Sequence, residues 1–171
     1  MKLIAFTGKM GVGKTTAAQT LRENMFPVFT VKFAKPLYDL QSIIYEFLNL
    51  PEPEKDRKLL QFLGTDWGRS IDKKIWINRW KQEVRHIASE FPNAVIVCDD
   101  CRFPNEAAEI KALGGKIVEI RGDSRGEFVS SGENHSSETD MAEISPDIII
   151  HNASTVQAFK ECVLGALRGI K

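Results

Sequence analysis

The stretch Phe6–Ala18, "FTGKMGVGKTTAA", decides the fold. An apolar run, "KLIAF" (Lys2–Phe6), leads into it, and a helix-forming run, "AAQTLREN" (Ala17–Asn24), leads out. The first is short and bounded by Gly8, so it reads as a buried strand. A helix is expected from Lys14 to about Asn24. Between them, Gly8, Gly13, Lys14 and Thr15 match the phosphate-loop pattern G-x-x-x-x-G-K-[ST]. Glycines there let backbone N–H groups close around phosphate oxygens without a Cβ in the way. The helix N-terminus adds its positive dipole end. At this spacing Lys14 reaches the β and γ phosphates of a nucleotide and the Thr15 hydroxyl ligates Mg²⁺. Gly11, Val12, Gly13 and Thr16 complete the expected nucleotide cradle. The loop alone does not separate a kinase from a GTPase, a motor or a regulatory switch.

Outward from this loop, strands and helices alternate. "VFTVKF" (Val28–Phe33) is a β-branched strand, and Pro36 opens a helix running to about Leu50. "RKLLQFLG" reads as a short helix ended by Gly64. Ile77, Trp80, Val84 and Ile87 form an apolar stripe on a helix from Lys74 to about Glu90. "AVIVC" (Ala94–Cys98) is a continuous apolar run, hence a central strand. A helix "NEAAEIKALGG", a strand "KIVEI", a long polar segment and a last strand "DIIIHN" follow. Ser154 then caps a helix with Val156, Phe159, Val163 and Leu167 on one face. The pattern predicts one α/β domain over 1–171, a three-layer fold with a five-stranded parallel sheet flanked by helices. Ligands of such sheets lie beyond the carboxyl ends of the strands, where every suggestive motif falls.

Composition narrows the function. Lys+Arg and Asp+Glu are both 23, giving zero net charge. That balance speaks against a nucleic-acid partner bound through bulk positive charge. No apolar run approaches the roughly 20 residues of a membrane helix. The N-terminus lacks a signal-peptide layout, so a cytoplasmic protein is expected (host cytoplasm if viral). Cys98 and Cys101 form a CxxC, but Asp99 and Asp100 between them should raise the thiol pKa, against redox work. No second Cys/His pair at ligand spacing accompanies them, against a zinc site.

Asp99 and Asp100 end the central strand. An acidic residue there commonly faces the phosphate loop and the Mg²⁺ shell. Side chains alternate along a strand, so one of the two should point at the site, and the residues alone leave open which. Arg102 is placed to clamp a phosphate in a bidentate way.

The segments "FTGKMGVGKTTAA", "VKFAKPLYDL", "LLQFLGTDWGRSID", "IWI", "DCRFPNEAAEIKALGGKIVEIR", "NHSSE" and "DIIIHNAS" together resemble phage-type deoxynucleoside monophosphate kinases, over nearly the whole chain. The combination of "FAKPL", "LGTDWGR" and D-x-R-F-x-N-E is the specific part. The resemblance implies a nucleoside-monophosphate-kinase-like P-loop fold, with a monophosphate-binding region over about 34–80 and a lid over about 122–145. It implies transfer of the γ-phosphoryl group of ATP, with Mg²⁺, to a deoxynucleoside 5′-monophosphate, giving the diphosphate. It places Lys35, Gly64, Thr65, Arg69 and Trp76 on the acceptor, with Asp100, Arg102 and Glu106 beside it. Asp100 would serve metal and acceptor, Arg102 the phosphate, and Glu106 the arginine or sugar. Arg121 would begin a lid over ATP, with Arg125 and His135 within that lid, and Asn152 would lie where backbone groups meet adenine. Lys14, Asp100, Arg102 and Arg121 are then the expected catalytic set. No general base is expected, because the acceptor phosphate is already ionised near neutral pH.

The partners implied are small molecules, ATP and a deoxynucleoside monophosphate, with no nucleic acid and no membrane; a homodimer is left open. Two rivals stand beside this reading. One is a kinase of the same fold with another small acceptor, such as dephospho-coenzyme A or a sugar acid. The other is a non-enzymatic nucleotide-binding switch, for which the usual N-K-x-D base-reading motif is missing.

Overall fold

The computed structural model describes residues 1–122 and 141–169. Most of the expected lid, including Arg125 and His135, lies outside the described residues. Five strands form one parallel sheet: β1 (Lys2–Thr7), β2 (Val28–Thr30), β3 (Val95–Cys98), β4 (Lys116–Arg121) and β5 (Ile148–His151), in the order β2-β3-β1-β4-β5. Central β1 pairs Ala5 with Cys98 of β3 on one side and with Ile117 of β4 on the other.

Among the described residues, helices cover the sheet or extend from it: α1 (Lys14–Asn24), α2 (Lys35–Phe47), α3 (Arg57–Gln61), α4 (Gly68–Ile71), α5 (Ile75–Glu90), α6 (Pro104–Ala112) and α7 (Val156–Leu167). Alternation along the strands sorts the core into two layers. Leu3, Ala5, Ile96, Cys98 and Ile117 face Ile77, Trp80 and Val84 of α5 and Ile110 of α6. Ile4, Phe6, Val97, Val118 and Ile120 face Ala17 and Leu21 of α1 and Phe159 and Val163 of α7. Each fully buried side chain of this size contributes roughly 1.5–3 kcal/mol, so both layers are substantial.

This topology positions the site. The chain leaves β1 through α1 toward β2, and leaves β3 through α6 toward β4, on opposite faces of the sheet. The carboxyl ends of neighbouring β1 and β3 are therefore where the connections diverge, which opens a crevice. The phosphate loop follows β1, and the two aspartates follow β3.

Four local expectations change. β2 stops at Thr30 rather than Phe33. Gly64 does not end a helix: a π-helical turn, Phe62–Trp67, carries the chain from α3 into α4. Trp76 Nε1 donates to the Gly64 carbonyl at 2.9 Å, anchoring that turn on α5. Thr155, not Ser154, caps α7, accepting from the Ala158 N–H at 3.3 Å. Val156 is exposed, while Phe159, Val163 and Leu167 are buried.

Candidate active site

A cavity of about 700 Å³ opens at the carboxyl end of the sheet. The phosphate loop forms one wall. Gly13 takes φ +107°, and a Cβ there would stand 2.8 Å from Asn152 Nδ2. That amide donates to the Val12 carbonyl at 2.9 Å, so Asn152 latches the loop from β5. Lys14 Nζ bonds the Gly8 and Lys9 carbonyls, each at 2.7 Å, and lies across the loop. Burial, reinforced by the nearby Arg102 charge, lowers the Lys14 pKa to about 8, while Asp99 and Asp100 oppose the shift. Two cations held this close suit a polyanion between them.

The two aspartates differ in what they hold. Asp100 accepts the N–H groups of Phe33 at 3.0 Å and Ala34 at 2.9 Å, and the Cys98 thiol lies 3.2 Å from its Oδ1. It fastens the β2–α2 connection, and burial pushes its carboxyl pKa up against those bonds. Asp99 is buried and meets Lys32 Nζ, 3.0 Å from Oδ1 and 3.1 Å from Oδ2. Only the Oδ2 contact has hydrogen-bond geometry, so Oδ1 is buried without a donor. Both aspartates line the cavity, but Asp99 is the one with a carboxylate oxygen to offer.

On the acceptor side expected from the sequence, Arg69 joins Glu106 in a buried ion pair and lies over the Phe103 ring, 3.6 Å from its centroid. Glu106 Oε2 accepts the N–H groups of Arg102 at 2.9 Å and Phe103 at 3.1 Å, the side-chain half of a capping box at the start of α6. Burial raises its pKa to about 7, against these bonds and the Arg69 charge. The Arg102 backbone is thus fixed by Glu106, and its guanidinium lines the cavity with no side-chain hydrogen bond among the described residues. Trp76 and Gly68 pack tightly: a Cβ on Gly68 would meet Trp76 Cζ2 at 2.5 Å.

The cavity brings together Gly11, Gly13, Lys14, Thr15, Thr16, Gly64, Thr65, Arg69, Trp76, Asp100, Arg102 and Glu106. Four expected site residues stand apart. Val12 is buried in the core below the loop. Lys35 turns to Asp39 at 2.8 Å on the exposed face of α2, because an i,i+4 partner is within reach there. Arg121 pairs with Glu119 at 2.8 Å at the exposed end of β4. Asn152 acts through its side chain, on the loop backbone. Lys32, Lys55, Arg57 and Phe103, which are not among the site residues expected from the sequence, also line the cavity. Lys32 was findable as the charge that follows a strand at the ligand edge; Lys55 and Arg57 sit in a polar loop with no motif around them.

The cavity also fits a hard divalent cation. Thr15 and Asp99 bring oxygen donors to it, and the Asp99 Oδ1 is an orphaned buried acceptor. Among the described residues no three His, Cys, Asp or Glu side chains converge as a metal site. A Mg²⁺-type ion held by one or two protein oxygens plus phosphate oxygens suits that donor set. Cys98 and Cys101 are fully buried free thiols with pKa values pushed up, chiefly by burial.

Residues 30–163 match the family described as deoxynucleotide monophosphate kinase. A protein of Acanthamoeba polyphaga mimivirus, provisionally named a deoxynucleotide monophosphate kinase, is 32% identical over 190 aligned positions, spanning 98% of this chain and 96% of its own. Among solved structures, dephospho-CoA kinase from Campylobacter jejuni superposes with a TM-score of 0.54 at 16% identity, covering 99% of this chain and 98% of its own. The tunicamycin resistance protein of Deinococcus radiodurans gives 0.58 at 15%, covering 99% and 96%. Shikimate kinase from Bacteroides thetaiotaomicron gives 0.53 at 15%, covering 98% of each chain. At these identities the structures speak for the α/β P-loop kinase fold.

Proposed function

Since the chain belongs to the deoxynucleotide monophosphate kinase family, and is therefore a phosphotransferase, we propose that it transfers the γ-phosphoryl group of Mg·ATP to a deoxynucleoside 5′-monophosphate, giving ADP and the deoxynucleoside diphosphate. The observation that carries this reading is a single cavity with a phosphate loop on one wall and the Arg69–Glu106–Arg102 cluster on another. Two anionic substrates can then meet end to end without crossing bulk water.

ATP lies with its phosphates on the loop formed by Gly11, Gly13, Lys14 and Thr16. Thr15 and Asp99 are the residues that would hold Mg²⁺, which would supply neutralisation of the charge on the transferring phosphoryl group. Lys14 swings from the Gly8 and Lys9 carbonyls to the phosphates, where a polyanion restores its full charge. Arg102 meets the phosphoryl group in transit, the role in which an arginine can contribute roughly 10³-fold or more. Arg69 and Thr65 orient the acceptor, with Phe103 and Glu106 keeping the guanidinium in one plane. Asp100 works at one remove, by holding Phe33 and Ala34 at the cavity wall. The region around 34–80 serves as the monophosphate-binding side. Arg121 stands at the root of the segment that we assign as the lid, whose closure would exclude water as a competing acceptor.

The test is a coupled ADP-release assay with Mg·ATP, with and without each deoxynucleoside monophosphate, and with dephospho-CoA and shikimate as alternative acceptors. Release that depends on a deoxynucleoside monophosphate and collapses in Arg102→Ala supports the reading. Equal release with and without acceptor would sink it.

A further inference from the structure

Gln41 is the only fully buried residue of α2, at 1% exposure, while Ile43 and Phe47 of the same helix are 59% and 87% exposed. A helix usually buries its apolar stripe instead. A buried primary amide is unfavourable unless its donors and acceptor are matched. Here they are matched by one segment. Gln41 Nε2 donates to Glu52 Oε1 at 2.9 Å and to the Pro53 carbonyl at 3.0 Å, and its Oε1 accepts the Asp56 N–H at 2.9 Å. Ser42 Oγ donates to the same Glu52 oxygen at 2.8 Å, and Tyr45 OH donates to Asp56 Oδ2 at 2.8 Å. Asp56 Oδ1 in turn caps α3 through the Leu59 N–H at 3.0 Å.

Residues 52–55 are themselves exposed, so apolar burial does not fix this segment. The amide and its two neighbours do. The segment delivers Lys55 and then Arg57, the first residue of α3, to the cavity from the α2–α3 side. Lys55 has no hydrogen-bond or ion-pair partner among the described residues. A lysine just before a helix and an arginine at its first position match the charge and oxygen-rich surface of a phosphate.

We propose that Gln41 is a positioning residue for phosphoryl transfer, holding the segment 52–56 so that Lys55, beside Arg57, meets the phosphate of the acceptor nucleotide. This rests on the monophosphate-kinase reading above. Steady-state kinetics of the full-length protein, with acceptor and ATP varied separately, test it. Gln41→Met keeps the volume and removes the amide. Gln41→Met and Lys55→Ala should each raise the acceptor KM about tenfold, the equivalent of one charge-assisted hydrogen bond. The KM for ATP should stay within about twofold, and Lys55→Arg should restore most of the loss. In a Lys55→Ala/Arg57→Ala background, Gln41→Met should add less than about twofold, because its effect passes through those residues. Should Gln41→Met not fold, Ser42→Ala combined with Tyr45→Phe, which removes the other two side-chain ties from α2 to the segment, reads the same split. Parallel rises in both KM values, or a full extra loss in the double-alanine background, would reduce Gln41 to a structural residue and overturn the assignment. Wild-type turnover with unaffected variants overturns this assignment alone. Wild type inert toward every deoxynucleoside monophosphate overturns the acceptor reading and this assignment with it.

Discussion

Replacing Glu106 by glutamine asks which force wins at a buried ion pair. Glu106 is 2% exposed and touches Arg69, yet burial lifts its pKa from 4.5 to about 7. The folded state therefore binds the proton more tightly than the unfolded chain. The resulting stability is fully present below about pH 4.5 and is lost as pH rises through about 7. At 1.36 kcal/mol per unit, the wild type should lose about 2 to 3 kcal/mol from this group between roughly pH 5 and pH 8. The amide of Glu106→Gln would keep an oxygen for the Arg102 and Phe103 N–H groups but would not titrate. Urea unfolding of both proteins across this range gives the difference in stability at each pH, with other titrating groups cancelling. The wild-type advantage should shrink by about 2 to 3 kcal/mol as pH rises. A difference that stays flat would mean that Arg69 keeps the carboxylate ionised throughout, and the reasoning that burial outweighs the pair would be refuted.

Three further outcomes follow from the same geometry. Asp99→Asn should raise the Mg²⁺ concentration needed for half-maximal turnover, whereas Asp100→Asn should destabilise the fold by about 1–3 kcal/mol by weakening its hold on Phe33 and Ala34; metal titration and urea unfolding of both variants separate the two roles. Gly68→Ala should cost about 1–3 kcal/mol in thermal or urea unfolding, since the new methyl meets the Trp76 ring and the Leu63 carbonyl at 2.5 and 2.6 Å. A thiol reagent added to folded protein should label exposed Cys162 and leave buried Cys98 and Cys101 untouched until denaturant is added, as mass spectrometry of the labelled peptides would read.

The parts of the fold that were legible in the residues are those set locally. The apolar runs of β1 and β3, the Ile77–Trp80–Val84 stripe and the phosphate-loop glycines each carry their own periodicity or backbone demand. What was not legible depends on partners far away in the chain. Gly64 looks like a helix stop until the Trp76 indole, twelve residues on, takes its carbonyl and the chain continues as a π-helical turn. Lys35 looks like a phosphate ligand after a strand, but Asp39 one turn later claims it. Asp99 and Asp100 cannot be ranked by alternation alone, because both reach the cavity and the distinction lies in which carboxylate the β2–α2 backbone occupies. Gln41 carries no motif, and only its burial against the segment 52–56 gives it meaning.

The most direct test of the central claim follows the phosphoryl group itself. The protein is incubated with Mg²⁺, ATP labelled in its γ-phosphate and each deoxynucleoside monophosphate in turn, and the labelled products are separated. The account predicts label in a deoxynucleoside diphosphate, equimolar with ADP, for at least one base. Label confined to inorganic phosphate, or carried only to an acceptor that is not a nucleoside monophosphate, would contradict it.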